Sequence, residues 1–232
     1  MISRQQFYEF AQVDQHAQFE NFLRDILFDK KRRERFYRQI IKADPQSVKT
    51  DTFRQYFEEY AAERKSNQQD YTPDAISYLT AEITRINNKL ANDHFTAYDP
   101  AAGTGSLLIK KWWHDCLQSN PLVYQPHNYL YFAQEYADNA IPYLLHNLAL
   151  RGMNAVVIHG DSLARTANQV YFVQNVHDDF MQFSSINVMP HTEQVLKFFD
   201  LSEWTAEPIN HIEDEIQDVQ WVLLSNVYLR GI

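Results

Sequence analysis

Phe95-Thr96-Ala97-Tyr98-Asp99-Pro100-Ala101-Ala102-Gly103-Thr104-Gly105-Ser106-Leu107-Leu108-Ile109 opens with strand-forming residues, passes through a glycine turn and ends in an apolar run of helical type. A strand, a tight turn and a helix start in that order form the first half of a βαβ unit. Glycines at such a turn let a ligand approach the backbone without meeting a Cβ. The chain has only five glycines, and Gly103 and Gly105 both fall here. A lone Gly-x-Gly would also fit a plain tight turn; the Asp-Pro before it and the Ser-Leu-Leu after it make this version more specific.

Outward from the turn, the pattern alternates. A helix is expected from Pro73 to Leu90, a strand from Phe95 to Tyr98 and a helix from Ser106 to Leu117. A strand then follows from Tyr129 to Ala133, a helix from Asp138 to Arg151, a strand from Ala155 to Ile158 and a fourth strand over Val170-Tyr171-Phe172-Val173. Helices alternating with short apolar strands predict an α/β fold with a parallel sheet. Ahead of it, Phe19, Phe22, Leu23, Ile26 and Leu27, and again Phe53, Tyr56, Phe57 and Tyr60, recur at helical spacing. We read residues 1–66 as an N-terminal helical region, with a polar linker over Arg64 to Asp70, and residues 67–232 as the ligand-binding domain. In the tail, Ile209, Ile212, Ile216, Val219 and Leu223 give an apolar stripe that predicts one further helix.

The pattern from Asp99 to Gly105 resembles the Asp-Pro-[Ala/Cys]-[Cys/Ala]-Gly-[Thr/Ser]-Gly element of the DNA adenine-N6 methyltransferases, particularly the modification subunits of type I restriction-modification systems. Asp70-Tyr71-Thr72-Pro73 is similar to that family's aromatic-Thr-Pro element, Phe132-Ala133-Gln134-Glu135 to its Gly-Gln-Glu, and His159-Gly160-Asp161-Ser162-Leu163 to its Gly-Asp-[Ser/Thr]-Leu. The matches stand in the family's order. The resemblance implies a Rossmann-like class I methyltransferase sheet, shortened here as in a phage-borne version, and S-adenosylmethionine as cofactor. It places Tyr71, Thr72, Asp99, Ala101, Gly103, Thr104, Gly105, Glu135, Asp161 and Ser162 at the cofactor. Glu135 would accept hydrogen bonds from the ribose diol, Asp161 from the adenine amino group, and Asp99 would orient the loop or receive the methionine ammonium. Taken singly, Asp138 and Asp161 also stand where helix caps are expected.

The acceptor side departs from the family. Its [Asn/Asp]-Pro-Pro-[Phe/Tyr] element holds the target amino group and stacks on the extruded base, and no Asn-Pro-Pro occurs here. Two candidates remain: Asn175 in Gln174-Asn175-Val176-His177-Asp178, at the end of the expected fourth strand and the catalytic candidate, and Asn187 ahead of Met189-Pro190. Neither carries the rigid turn that two prolines impose. Methyl transfer by the isolated chain is therefore expected to be absent or very slow. The alternative is a cofactor-binding protein that has lost transfer and works through contacts with a partner such as a restriction-modification subunit.

Composition bounds the partners. Of 232 residues, 45% are hydrophobic and 14% aromatic, enough for a substantial core. Residues 1–70 carry 13 Lys/Arg against 12 Asp/Glu, leaving 8 against 18 for the rest. An acidic body is a poor surface for phosphates, so weak binding to duplex DNA is expected, with Lys30 to Arg38 as the one concentrated basic stretch. The lone Cys116 is read as a packing residue, and nine histidines without a His-x-x-x-His pair suggest no metal site. Absence of a long apolar run or signal segment leads us to expect a cytoplasmic protein.

Overall fold

The computed structural model describes residues 2–63, 97–118 and 124–214. Strands β1 (Ala97–Asp99), β2 (Tyr131–Glu135) and β3 (Ala155–His159) run parallel, as expected. Strand β4 (Thr166–Ala167) pairs with β7 (Glu203–Trp204) in a small separate ribbon. Beyond β3 the main sheet continues through β5 (Gln169–Gln174) and β6 (Ser185–Val188), in the order β1-β2-β3-β5-β6. The expected fourth strand, β5, is antiparallel to β3, and β6 is antiparallel to β5. The sheet is therefore mixed, not wholly parallel.

Among the described residues, four α-helices precede the sheet: α1 (Arg4–Ala11), α2 (His16–Leu27), α3 (Lys30–Ala43) and α4 (Arg54–Glu63). Local chemistry starts them where the sequence allows. Ser3 and Gln6 form a capping box on α1, and the Asp29 carboxylate accepts from Arg32 N at 3.0 Å at the head of α3. Three more helices are α5 (Ser106–Gln118), α6 (Ile141–Leu150) and α7 (Glu193–Phe198).

Every residue of α6 is buried. A helix apolar on all sides needs cover on all sides, and α6 has it: one side lies on the sheet and the other against the N-terminal helices. Phe7, Phe19, Leu23, Phe36, Tyr37, Phe53 and Tyr56 share one core with Tyr143, Leu144 and Leu148 and with Tyr131, Ala133, Val157 and Val173 of the sheet. The opposite sheet face packs Phe132, Val156, Ile158, Val170 and Phe172 against Val195 and Phe199 of α7. Burial on both faces explains why β2 and β3 read as continuous apolar runs.

His146 sits in the middle of α6 and is fully buried. Its Nδ1 faces the Tyr37 hydroxyl at 2.7 Å and its Nε2 the Leu23 carbonyl at 2.8 Å. The carbonyl can only accept, so Nε2 carries the proton and Tyr37 donates to Nδ1. Burial, aided by Arg33 and opposed by the Leu23 bond, pushes the imidazole pKa down to about 3. Its folded value lies below the unfolded one, so the unfolded chain takes up the proton first as pH falls below about 6.5. At pH 5 this group alone should cost about 2 kcal/mol of stability. His146→Gln keeps one donor and one acceptor without a titrating ring. Urea unfolding at pH 7.5 and 5 should show a smaller acid loss in that variant by this amount; equal losses would contradict the assignment.

The tail corrects a second expectation. Residues 209–214 are not helical, and Ile212 is exposed. The segment runs beside β6, Val188 N donating to His211 O at 2.9 Å. Glu213 pairs with the buried Arg33 at 2.6 Å, and Asp214 pairs with Lys30 at 2.6 Å. The rest of the expected tail helix, from residue 215, lies outside the described residues, as do the expected helix over Pro73 to Leu90 and the linker from Arg64 to Asp70. The same ion pairs alter the reading of the basic stretch. Lys30 and Arg33 are occupied by the tail and Arg38 pairs with Glu34 at 2.6 Å, which leaves less positive surface than the sequence suggests.

Candidate functional site

The carboxyl ends of β1, β2 and β3 bring together most of the expected residues. Register sets Asp99 beside Ala133 and Glu135 beside His159, so the ends step outward from β1 to β3. The glycine turn crosses onto the β2 end, where Ala102 N donates to the Gln134 carbonyl at 2.9 Å and Gly103 N to Glu135 Oε2 at 2.7 Å. Glu135 Oε1 accepts from Ala137 N at 2.7 Å, and its own carbonyl accepts from Gly160 N at 2.9 Å. Each carboxylate oxygen has two lone pairs, so one stays available on each for a ligand hydroxyl.

Gly103 and Gly105 both have positive φ, +56° and +93°. They differ in what surrounds them. A Cβ on Gly105 would meet the Leu144 side chain at 2.8 Å, whereas one on Gly103 would meet nothing within 4 Å among the described residues. Gly105 therefore allows close packing of α5 on α6, and Gly103 is the one that borders open space.

Asp99 is buried and accepts from Ala101 N at 3.2 Å. Burial raises its pKa, repulsion from Glu135 adds to the rise, and the Ala101 bond opposes it. A cationic group at this position would relieve both penalties. Asp161 begins no helix; its Oδ1 accepts from Leu163 N at 2.8 Å and Ala164 N at 3.0 Å, closing an Asx-type turn that leads to β4. Ser162 is part of that turn and half-buried. Asp138 caps no helix either, since Ala140 precedes α6; it faces His159 Nε2 at 3.1 Å. Three apolar side chains stay exposed along this edge: Tyr98 at 53%, Tyr136 at 74% and Leu163 at 95%. Tyr71 and Thr72 lie outside the described residues.

The two acceptor candidates are elsewhere. Because β5 runs antiparallel, its far end lies beside the start of β3, with Val173 opposite Ala155. Asn175 thus stands at the amino edge of the parallel strands, across the sheet from Asp99 and Glu135. It is buried, its Nδ2 donating to Gly152 O at 3.0 Å and Asp179 O at 2.8 Å, which are loop-fastening bonds. Asn187 is also buried; its Oδ1 accepts from Glu213 N at 2.8 Å and its Nδ2 donates to Gln174 at 3.2 Å. Neither side chain faces the glycine turn.

One residue that the sequence reading missed is Asp51. Its Oδ2 accepts from the Ser106 hydroxyl at 2.7 Å and from the Thr104 hydroxyl, and its Oδ1 from Asn147 Nδ2 at 2.7 Å. No local pattern marks this role, because these three partners lie more than 50 residues away along the chain. Cys116 is buried, and burial with help from Asp115 pushes its thiol up to about 12, which suits packing rather than nucleophilic chemistry. Among the described residues no group of His, Cys, Asp or Glu could hold a metal, and no helix is long and apolar enough to cross a membrane.

No curated protein and no solved structure matches the chain. The family N-6 DNA Methylase matches residues 46–208, a stretch that runs from ahead of Asp51 past β7 and includes the glycine turn, Glu135 and Asp161. With more than half of its length matched, and with a Rossmann-like α/β sheet carrying these elements at one edge, the chain belongs to the N-6 DNA methylase family.

Proposed function

We propose that this edge binds S-adenosylmethionine for methyl transfer to N6 of adenine in DNA, which would be cytoplasmic work. One observation carries the reading: a carboxylate at the end of β2, Glu135, holds the glycine turn while keeping free lone pairs, beside a direction at Gly103 that is open. The methionine part fits against Ala101, Gly103, Thr104 and Gly105, with its ammonium near Asp99. The ribose diol fits Glu135, and the adenine fits between exposed Tyr136 and Leu163 with its amino group toward Asp161 and Ser162. Tyr71 and Thr72 are assigned to the cofactor by their resemblance to the family's aromatic-Thr-Pro element.

Because Asn175 stands at the opposite sheet edge, we assign the acceptor side to a different asparagine. The sequence offers Trp221-Val222-Leu223-Leu224-Ser225-Asn226-Val227-Tyr228, an apolar run of strand length followed by Asn, one apolar residue and an aromatic ring. This resembles the family's Asn-Pro-Pro-[Phe/Tyr] in its Asn and its aromatic ring, with Val227 in place of the two prolines. Asn226 would accept the hydrogen bond of the target amino group and Tyr228 would stack on the base. Both lie outside the described residues.

A second reading, a cofactor-binding protein that acts through a partner, is favoured by the placement of Asn175 and Asn187 away from the turn. Both readings require the cofactor. Calorimetry with S-adenosylhomocysteine should give a clear heat, and Gly103→Arg should weaken binding by about 100-fold or more by filling the open direction, at a cost in stability of roughly 1–2 kcal/mol for its left-handed backbone. Gly105→Arg would be a poorer test, because its side chain must displace Leu144. Equal binding by Gly103→Arg would refute the site.

A further inference from the structure

We infer that Asp51 is a positioning residue, which shapes the glycine turn for the amino-acid end of the cofactor from the N-terminal side of the chain. The inference rests on the S-adenosylmethionine reading above. Its geometry is independent of that reading.

Thr104, between the two glycines, is held twice. Its hydroxyl donates to Asp51, and its carbonyl accepts from Asn147 Nδ2 at 2.7 Å, the same amide that donates to Asp51 Oδ1 at 2.7 Å. Ser106, first residue of α5, adds its hydroxyl to Asp51 Oδ2 at 2.7 Å, and Phe53 N closes an Asx turn on Oδ1 at 3.0 Å. Asp51 therefore gathers four donors from three parts of the chain. The segment that carries it is itself fixed: buried Arg151 donates to Val48 O at 2.9 Å, Ser47 O at 2.9 Å and Thr52 Oγ1 at 3.0 Å, as well as to Thr50 O.

Glu135 holds the neighbouring residue, Gly103, from the β2 side. A ribose diol would bind that carboxylate through its remaining lone pairs, so Glu135 would serve the turn and the ligand together. Asp51 has no such second duty. It also does not lie under packed core: a cavity of about 310 Å³ opens against Thr50, Asp51, Ser106 and Lys110. Its carboxylate thus organises polar groups beside the turn instead of filling apolar space.

The test compares two ligands on the full chain. S-adenosylhomocysteine carries the amino-acid end, and 5′-methylthioadenosine lacks it. Asp51→Asn replaces the oxygen that two hydroxyls use or leaves them a poorer acceptor, and should weaken S-adenosylhomocysteine by about tenfold or more while changing 5′-methylthioadenosine by less than about threefold. Melting temperatures are recorded alongside. Thr104→Val, which removes one donor and keeps volume, should show the same ligand split with a smaller loss, and decides the matter if Asp51→Asn fails to fold. Equal losses for both ligands would mean a purely structural role and overturn the inference, as would no loss for either. If the unaltered chain binds neither ligand, the cofactor reading itself falls and this inference falls with it; binding by the unaltered chain with no split in the variants removes the inference alone.

Discussion

Glu213→Ala is expected to cost about 3–5 kcal/mol of stability, far more than its place in a loop near the tail suggests. Arg33 is fully buried and Glu213 is 4% exposed, and they meet in a paired geometry, Nη1 to Oε1 and Nη2 to Oε2, both at 2.6 Å. Burial works against the guanidinium charge, and the hydrogen bonds to Glu213 together with the attraction of Tyr37, Glu213 and Glu34 more than offset it. Glu213 also accepts from Ile186 N at 3.0 Å, tying the tail to β6. Removing the carboxylate leaves a buried cation whose remaining hydrogen bond, among the described residues, is to the Leu27 carbonyl at 2.5 Å. Urea unfolding should show the loss directly, and thermal unfolding a fall of about 10 °C. Pairing the change with Arg33→Met should restore most of it, since an apolar pair of similar volume costs little where an unpaired charge costs much. A loss below about 1 kcal/mol for Glu213→Ala would contradict the burial of the pair.

The same segment shows what a sequence can and cannot disclose. The apolar stripe from Ile209 onward fits a helix, but Glu213 is drawn out of that pattern by a charge 180 residues earlier. Periodicity describes local burial and has no means of registering a distant ion. Asp51 escaped notice for the same reason. By contrast, the order strand, glycine turn, helix, strand around Asp99 to Glu135 was legible because each step is local: the glycines turn the chain, and the apolar runs require cover on both faces. The orientation of β5 lies between these cases. An apolar run reads alike in either direction, so Val170 to Val173 alone could not reveal it. The connection could have. Only residues 160–168 separate β3 from β5, including the two residues of β4. A parallel return needs a crossover of a dozen or more residues, usually with a helix. So short a link favours an antiparallel strand, which carries Asn175 to the wrong edge.

That consequence sets the last prediction, which concerns which asparagine methyl transfer needs. Transfer to mixed genomic DNA by the isolated chain, followed with tritiated methyl groups, is expected to be slow, because Val227 cannot fix the acceptor backbone as two prolines do and misplacement by about 1 Å costs on the order of 100-fold. What transfer there is should fall by a further ~100-fold in Asn226→Ala, which removes the acceptor's hydrogen bond, while affinity for S-adenosylhomocysteine holds. Asn175→Ala should behave differently. It strips the bonds to Gly152 and Asp179 and should lower stability by about 1–3 kcal/mol, yet leave the rate per folded molecule unchanged. Inserting prolines, as Val227→Pro followed by one added proline, should raise the rate by restoring the rigid turn. Loss of transfer in Asn175→Ala at full folding and its survival in Asn226→Ala would reverse the assignment. No transfer from any of these proteins, with the cofactor bound and with a restriction-modification subunit both present and absent, would establish the second reading, a cofactor-binding protein that works through contacts rather than chemistry.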